Sequence, residues 1–293
     1  MSHFVSTSDS MQIVVTGDVL RPNLDGSAMQ PPNIAKLADE LHSAGLRPAV
    51  LKDYPPIGLD EWLRTDGPTD TVCWHLSQSV VPIGRDTLVV GFELPMNALN
   101  QFDKLGIKYI DACIYPIRFC NTLYGIRANF ELNSRFTAEI EPPTKFKCRL
   151  SFPKNSALIV GQTVYDRSLV FDRRLVKLEE FEKDISALTS RFCNTVFRPH
   201  PHSETHGIAM MRNLGIGTCM EPTYNLLAHP NISHVFGISS SVLYECKYFG
   251  KPSTFWKERK QVQNYRPVKR ETFISEAFWK DALSRIRHQA HDI

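Results

Sequence analysis

The 293-residue chain has no Gly-x-Gly-x-x-Gly fingerprint, no phosphate-binding P-loop and no Gly-x-Ser-x-Gly elbow. Dinucleotide redox chemistry, ATP hydrolysis and α/β-hydrolase chemistry therefore have no motif to stand on. No apolar run approaches the roughly 20 residues that a membrane-spanning helix needs. The opening residues, MSHFVSTSDS, lack the apolar stretch of a secretory signal. The seven cysteines are odd in number and scattered, without a Cys-x-x-Cys pair, which argues against a disulfide framework or a zinc site. The formal net charge is only +3, with no basic block, so no nucleic-acid partner is expected. These absences together predict a soluble, cytoplasmic protein.

The chain has 42% hydrophobic and 22% charged residues, the balance of a globular protein. Its length suits two domains of roughly 100–150 residues each. Short apolar runs at 12–16 (QIVVT), 48–51 (PAVL), 71–76 (TVCWHL), 87–92 (TLVVGF) and 110–115 (IDACIY) read as strands. They alternate with helical patterns at 33–44 and 96–105. Such alternation predicts a parallel sheet covered on both faces. A proline-bearing polar stretch, EIEPPTKFKCR at 139–149, reads as an interdomain connection. Beyond it the pattern restarts, with strands at 156–163, 195–201 and 234–239 and helices at 172–192, 204–214, 240–249 and 272–289.

The expected fold is α/β, with two Rossmann-like domains facing across a cleft. The first would span 1–145, the second 146–271, and a terminal helix at 272–293 would pack back on the first. Lys280, Arg285, Arg287 and His288 also allow that helix to touch the inner face of the cytoplasmic membrane. Its narrow apolar stripe favours packing on protein instead.

Three loops at strand ends carry the polar groups that a ligand site needs. In FRPHPHSE (197–204), Arg198, His200 and His202 suit phosphate or carboxylate, and the flanking prolines restrict the backbone of His200. His200, His202 and His206 have no cysteine or carboxylate pattern to complete a ligand set, so no metal is expected. In GISSSVLYECKYFGKP (237–252), Ser239, Ser240 and Ser241 precede a predicted helix and offer an anion site, with Glu245 one turn on for ribose hydroxyls. Simple capping by one serine, and a solvated charge at Glu245, are the plain alternatives. In GQTVYDRSLV (161–170), Asp166 suits a nucleophile or base that Arg167 and Ser168 could hold, though a loop aspartate is commonly a turn residue. Glu93 ends a strand in the first half and suits either a catalytic or a structural role.

The order Gly161-Gln162, Asp166-Arg167-Ser168, Arg198-Pro199-His200-Pro201, Ser239 to Ser241, Glu245 and Gly250-Lys251-Pro252 resembles the C-terminal half of bacterial retaining β-Kdo glycosyltransferases of capsule and lipopolysaccharide assembly. The likeness covers 156–256; the first half matches loosely, through Glu93 and IDACIYPIRF at 110–119. The Arg-Pro-His-Pro and serine elements also look like those of bacterial sialyl- and polysialyltransferases, which use CMP-sugars as well. The resemblance implies the two-Rossmann (GT-B) fold and a CMP-activated acidic sugar as donor substrate, with no further cofactor. It implies a saccharide or glycolipid acceptor. Asp166 would then form a covalent sugar adduct, with Glu93 beside the sugar as acid/base or binding partner. His200 and the serines would hold the CMP phosphate, Gln162, Arg167, Ser168 and Arg198 would line the donor site, and Glu245 would meet the ribose. A UDP-sugar-dependent transferase or epimerase of the same fold, and an inactive transferase-like scaffold of polysaccharide assembly, are the competing expectations.

Overall fold

The computed structural model describes residues 11–17, 32–50, 63, 83–84, 86–94, 96–114, 117–164, 166–258 and 265–291. The apolar run at 71–76 and the side chain of Arg167 lie outside the described residues. Two compact units divide the chain. One holds Met1–Ile114, Asn121–Glu139 and Asn264–Ile293; the other holds Tyr115–Cys120 and Ile140–Gln263.

The first unit is built on a six-stranded mixed sheet. Its strands are β1 (Gln12–Gly17), β2 (Ala49–Val50), β3 (Thr87–Phe92), β4 (Lys108–Cys113), β5 (Leu123–Ala128) and β13 (Arg266–Lys269), in the spatial order β13-β5-β4-β3-β1-β2. Strands β1 to β4 run parallel. β5 pairs antiparallel with β4, and β13 antiparallel with β5, so the wholly parallel sheet expected from the pattern is corrected at this edge. β3 is buried at every position, as a strand covered on both faces must be, and that is why it reads as an unbroken apolar run. Helix α1 (Pro32–Ser43) buries Ile34, Leu37, Ala38 and Leu41, and α2 (Met96–Leu105) buries Ala98, Leu99 and Phe102. Full burial of a leucine or phenylalanine side chain stabilises by about 1.5–3 kcal/mol. The chain rejoins this unit at β13, ahead of the boundary expected at 271. It continues into α7 (Arg270–Phe273) and α8 (Glu276–His291), where Phe273, Phe278, Trp279, Ala282 and Ile286 are buried. The Phe278 ring meets Phe136 at 5.3 Å, and Phe273 meets Tyr124 at 5.5 Å.

The second unit has a five-stranded, wholly parallel sheet. β6 (Ser156–Val160), β9 (Asn194–Arg198), β10 (Gly217–Thr218), β11 (Ile232–Gly237) and β12 (Ser253–Phe255) lie in the order β10-β9-β6-β11-β12. The chain winds outward from β6 on one side through β9 and β10, and on the other through β11 and β12. This is the doubly wound, Rossmann-like order, with its switch point between β6 and β11. Alternate β6 residues serve two cores: Ala157 and Ile159 pack with Phe181, Ile185 and Leu188, while Leu158 and Val160 pack with Leu226, Leu227 and Leu243.

The long helix expected over 172–192 is corrected. Asp172 and Arg173 both have positive φ, 52° and 59°, and turn a small hairpin between β7 (Val170–Phe171) and β8 (Arg174–Leu175). Left-handed conformation at both central residues is what a tight two-residue hairpin requires. A 3-10 turn at Leu178–Phe181 follows, and only then helix α3 (Glu182–Arg191). Leu178, Phe181, Ile185 and Leu188 still share one buried stripe, because 3-10 and α turns both return a residue to the same face after three or four positions. The helix expected over 204–214 shortens to α4 (Ile208–Asn213), and α5 (Thr223–Ala228) follows β10. That expected over 240–249 is α6 (Val242–Glu245) and a 3-10 turn, Cys246–Phe249, closed by Gly250 at φ 64°.

Candidate functional site

In a parallel sheet every carboxyl end lies on one edge, and ligands bind there beside the switch point. In the second unit the three central strands deliver all three motif loops to that edge. β6 runs into Gly161-Gln162, β9 into Pro199-His200-Pro201, and β11 into Ser239–Ser241. Gly161 donates its N–H to the Arg198 carbonyl at 2.8 Å. A Cβ at Gly161 would lie 3.0 Å from the His200 nitrogen and 3.1 Å from the Pro199 Cα. Both neighbours are backbone and cannot swing aside, so only glycine lets these two loops approach this closely.

Asp166 sits half-buried on the β6 loop. Its Oδ1 accepts the Ser168 N–H at 2.9 Å and the Ser168 hydroxyl at 2.8 Å, while Oδ2 has the Thr163 hydroxyl at 3.4 Å. Its carbonyl accepts the Leu169 N–H at 2.8 Å, so the same residue also starts a 3-10 turn, Arg167–Leu169. The turn role and the site role coexist in one side chain.

Gln162 is buried, and its amide is fully engaged within the protein. Oε1 accepts the Ser239 N–H at 2.9 Å; Nε2 donates to Ser168 Oγ at 2.8 Å and Ser239 Oγ at 3.2 Å. Ser239 Oγ in turn donates to the Ser168 carbonyl at 2.5 Å. Gln162 and Ser239, expected to line the donor site, tie two loops together. Ser240 is buried and Ser241 half-buried, and Ser241 makes no side-chain cap. The helix beginning there has four residues, too few to sum a substantial dipole.

His200 Nδ1 accepts the His202 N–H at 3.1 Å, which assigns the proton of the neutral ring to Nε2. Burial holds His200 below the usual histidine range, helped by His202, Arg118 and Arg198 and opposed by Asp166. At neutral pH the ring is therefore a neutral hydrogen-bond donor rather than a cation. The Arg198 guanidinium is turned inward. It is buried, with Nε donating to the Glu221 carbonyl at 2.8 Å and Nη1 to the Pro199 carbonyl. Its guanidinium braces the loop that carries His200.

Glu245 departs furthest from expectation. It is 0% exposed; Oε1 accepts the Arg118 N–H at 2.5 Å and Oε2 the Tyr224 hydroxyl at 2.7 Å. Burial pushes its carboxyl up to about 7, opposed by those two bonds and by the Arg118 charge. The carboxylate is wholly buried, with both oxygens bonded inside the unit. What it holds is the turn Ile117–Cys120, closed by Cys120 N–H to the Ile117 carbonyl at 2.8 Å. In that turn Phe119 packs against Tyr224, Tyr248 and Phe249 at 5.2–6.1 Å, and Arg118 stays exposed. Sequence reasoning passed over Arg118. Its approach to Glu245 spans 127 residues, and no local signal carries such a pairing. Glu221 was also passed over. It is half-buried at the carboxyl end of the sheet beyond β10, where Oε1 accepts Asn225 Nδ2 at 2.7 Å.

In the first unit Glu93 follows β3, at the carboxyl edge beside that sheet's own switch point between β1 and β3. Its φ is 54°, an uncommon value for a non-glycine residue and a form of strain that clusters at functional sites. Its N–H donates to the Ala112 carbonyl at 2.9 Å, and Oε1 accepts the Ile114 N–H at 3.5 Å. Directly after it, the Leu94 N–H donates to Asp111 Oδ1 at 2.9 Å. Asp111 pairs with Arg127 Nη2 at 3.0 Å, both buried.

Among the described residues no group of three or more His, Cys, Asp or Glu is arranged to hold a metal ion. No helix among them is long and apolar enough to cross a membrane. No family model matches the chain, and no curated protein matches it either. Among solved structures it is similar to Thermosulfurimonas dismutans KpsC, a beta Kdo 2,7 transferase. That likeness has a TM-score of 0.44 and 11% identity, over 91% of this chain and 98% of that one. So remote a likeness assigns no residue a role.

Proposed function

We propose that the protein is a glycosyltransferase that moves an acidic sugar, Kdo, from its CMP-activated form to a saccharide or glycolipid acceptor with retention. One observation carries the reading. An aspartate with one oxygen held by two donors sits on the β6 loop, next to the His200 loop and tied to the serine loop, at the switch point of a wholly parallel sheet.

The chemistry follows from those groups. An anomeric carbon bearing a carboxylate passes through an oxocarbenium-like transition state, which a facing carboxylate can trap. Asp166 Oδ2 would form the bond to that carbon while the carbon–oxygen bond to phosphate breaks, its electron pair leaving with CMP. His200 Nε2–H would donate to the phosphate oxygen on which charge develops, with Ser240, Ser241 and the Arg118 cation beside it. In the second step an acceptor hydroxyl would attack the same carbon, the electron pair would return to the Asp166 carboxylate, and the hydroxyl proton would pass to a base. Glu93 is proposed for that base or for holding the sugar. Since Glu245 is spent internally, Glu221 is the carboxylate we assign to the ribose hydroxyls.

Intact-protein mass spectrometry after incubation with CMP-Kdo tests this. One added sugar should appear in the wild type and disappear in Asp166→Ala, while CMP still raises the melting temperature of both. Transfer activity retained in Asp166→Ala would sink the nucleophile. A thermal shift with UDP and none with CMP would move the donor to the UDP-sugar class, and no shift with either would favour an inactive scaffold.

A further inference from the structure

The hydrogen bonds around Gln162 fix the direction of the Ser168 hydroxyl proton. Because the Ser239 N–H points at one end of the amide at 2.9 Å, that end must be Oε1. The other end is then Nε2, which can only donate, and it faces Ser168 Oγ at 2.8 Å. Ser168 Oγ must therefore accept from Gln162 and spend its single proton on Asp166 Oδ1, 2.8 Å away. Ser239 Oγ likewise accepts from Nε2 at 3.2 Å and spends its proton on the Ser168 carbonyl. The Ser168 N–H adds a second donor to the same Asp166 oxygen at 2.9 Å. Among the described residues nothing comparable acts on Oδ2, whose hydrogen-bond contact there is the Thr163 hydroxyl at 3.4 Å.

We infer that Gln162 is a positioning residue which, through Ser168, anchors Oδ1 of Asp166 and leaves Oδ2 as the oxygen that attacks the sugar. The inference rests on the transferase reading above. Gln162 touches no substrate; it sets the direction of one hydroxyl proton. That bond serves both steps. Before attack it fixes the carboxylate plane. After the Oδ2–carbon bond has formed, Oδ1 is the ester carbonyl, and the same proton stabilises the charge that returns to it as the adduct breaks.

Gln162→Glu is the decisive variant, because it keeps the shape and inverts the polarity. A carboxylate at this position still accepts the Ser239 N–H but presents an acceptor to Ser168 Oγ. The Ser168 proton then turns towards the new carboxylate and away from Asp166. The rate of adduct formation should fall by about 10- to 100-fold, the scale of a misplaced reacting group, with the KM for CMP-Kdo and the thermal shift by CMP unchanged. Protonating the introduced carboxylate restores a donor, so the activity of this variant should recover as pH falls, a limb the wild-type profile lacks. Ser168→Ala should show the same loss without that limb. The double variant should be no slower than Ser168→Ala alone, since Gln162 acts only through Ser168. A wild-type rate and pH profile in Gln162→Glu, or losses that multiply in the double variant, would overturn the inference alone. A wild-type protein that turns over no CMP-sugar would overturn the transferase reading, and this inference with it.

Discussion

Among the described residues each unit buries one carboxylate completely, Asp111 and Glu245, and the two are held in opposite ways. Asp111 in the first unit faces a guanidinium: Arg127 Nη2 lies 3.0 Å from Oδ2, the Leu94 N–H supplies Oδ1, and the Tyr265 hydroxyl approaches Oδ2 at 3.4 Å. Glu245 in the second unit is held by a backbone N–H and a phenol, both neutral donors. Burial raises the pKa of both, and at Asp111 the Arg127 charge is the largest opposing influence. A charge buried with its counter-ion is sensitive to loss of the partner; a charge buried with neutral donors is sensitive to pH. The Asp111 pair secures the turn that carries strained Glu93, and Glu245 secures the turn that carries Arg118. The two sheets thus steady their loops with different chemistry.

Removing the counter-ion should produce the largest effect. Arg127→Met leaves Asp111 buried without its cation and should cost about 3–5 kcal/mol at neutral pH, read as a lower denaturant midpoint. Lowering the pH should shrink that cost, because an unpaired Asp111 can then take up a proton. An equal cost at pH 5 and pH 8 would show that Arg127 contributes packing rather than charge.

The second effect belongs to Glu245 and is read against pH. Its folded-state value of about 7 lies above the ordinary 4.5, so the folded state holds the proton more tightly than the unfolded chain. The stabilisation is complete below about 4.5 and is lost as pH rises through about 7. At about 1.4 kcal/mol for each pKa unit, the loss is on the order of 3 kcal/mol or slightly more. Melting temperature should accordingly fall between pH 5 and pH 8 in the wild type. Glu245→Gln keeps an oxygen for the Arg118 N–H and should flatten that slope. An unchanged slope in the variant would assign the pH dependence elsewhere.

The same contrast explains what could be read from the sequence. β3 and β6 are nearly continuous apolar runs because both their faces are buried. β9 and β11 keep shorter apolar cores (Val196-Phe197 and Val235-Phe236), and the loops after all four were legible as strand ends. β5 (LYGIRA) and β13 (RPVK) escaped. In β5 the buried Arg127 and Gly125 interrupt the apolar run. In β13 Pro267 is tolerated because that strand lies at the sheet edge and pairs with β5 alone. The hairpin at Asp172-Arg173 was hidden by a leucine stripe that suits a helix equally well. At the site, the residue types of all three loops were legible, but the direction of each side chain was not. Arg198 turned to the Glu221 carbonyl, Gln162 to the serines and Glu245 to Arg118. Each of these is a partner between 6 and 127 residues away, chosen by the fold and not by local spacing.

The smallest effect completes the series of charged groups. Lys280 and Glu276 form an ion pair at 2.7 Å on α8, one turn apart, with side chains 60% and 58% exposed. Water already solvates both groups, and holding two long side chains together costs rotamer freedom, so the short distance does not imply a large energy. Lys280→Ala should change stability by less than about 0.5 kcal/mol, and 1 M salt should erase even that, since screening then acts within about 3 Å. The Arg127→Met cost should survive the same salt, because the ions do not enter the buried site. A salt-sensitive Arg127→Met penalty would mean that the Asp111 pair is reached by solvent, and the contrast between the two buried carboxylates would lose its basis.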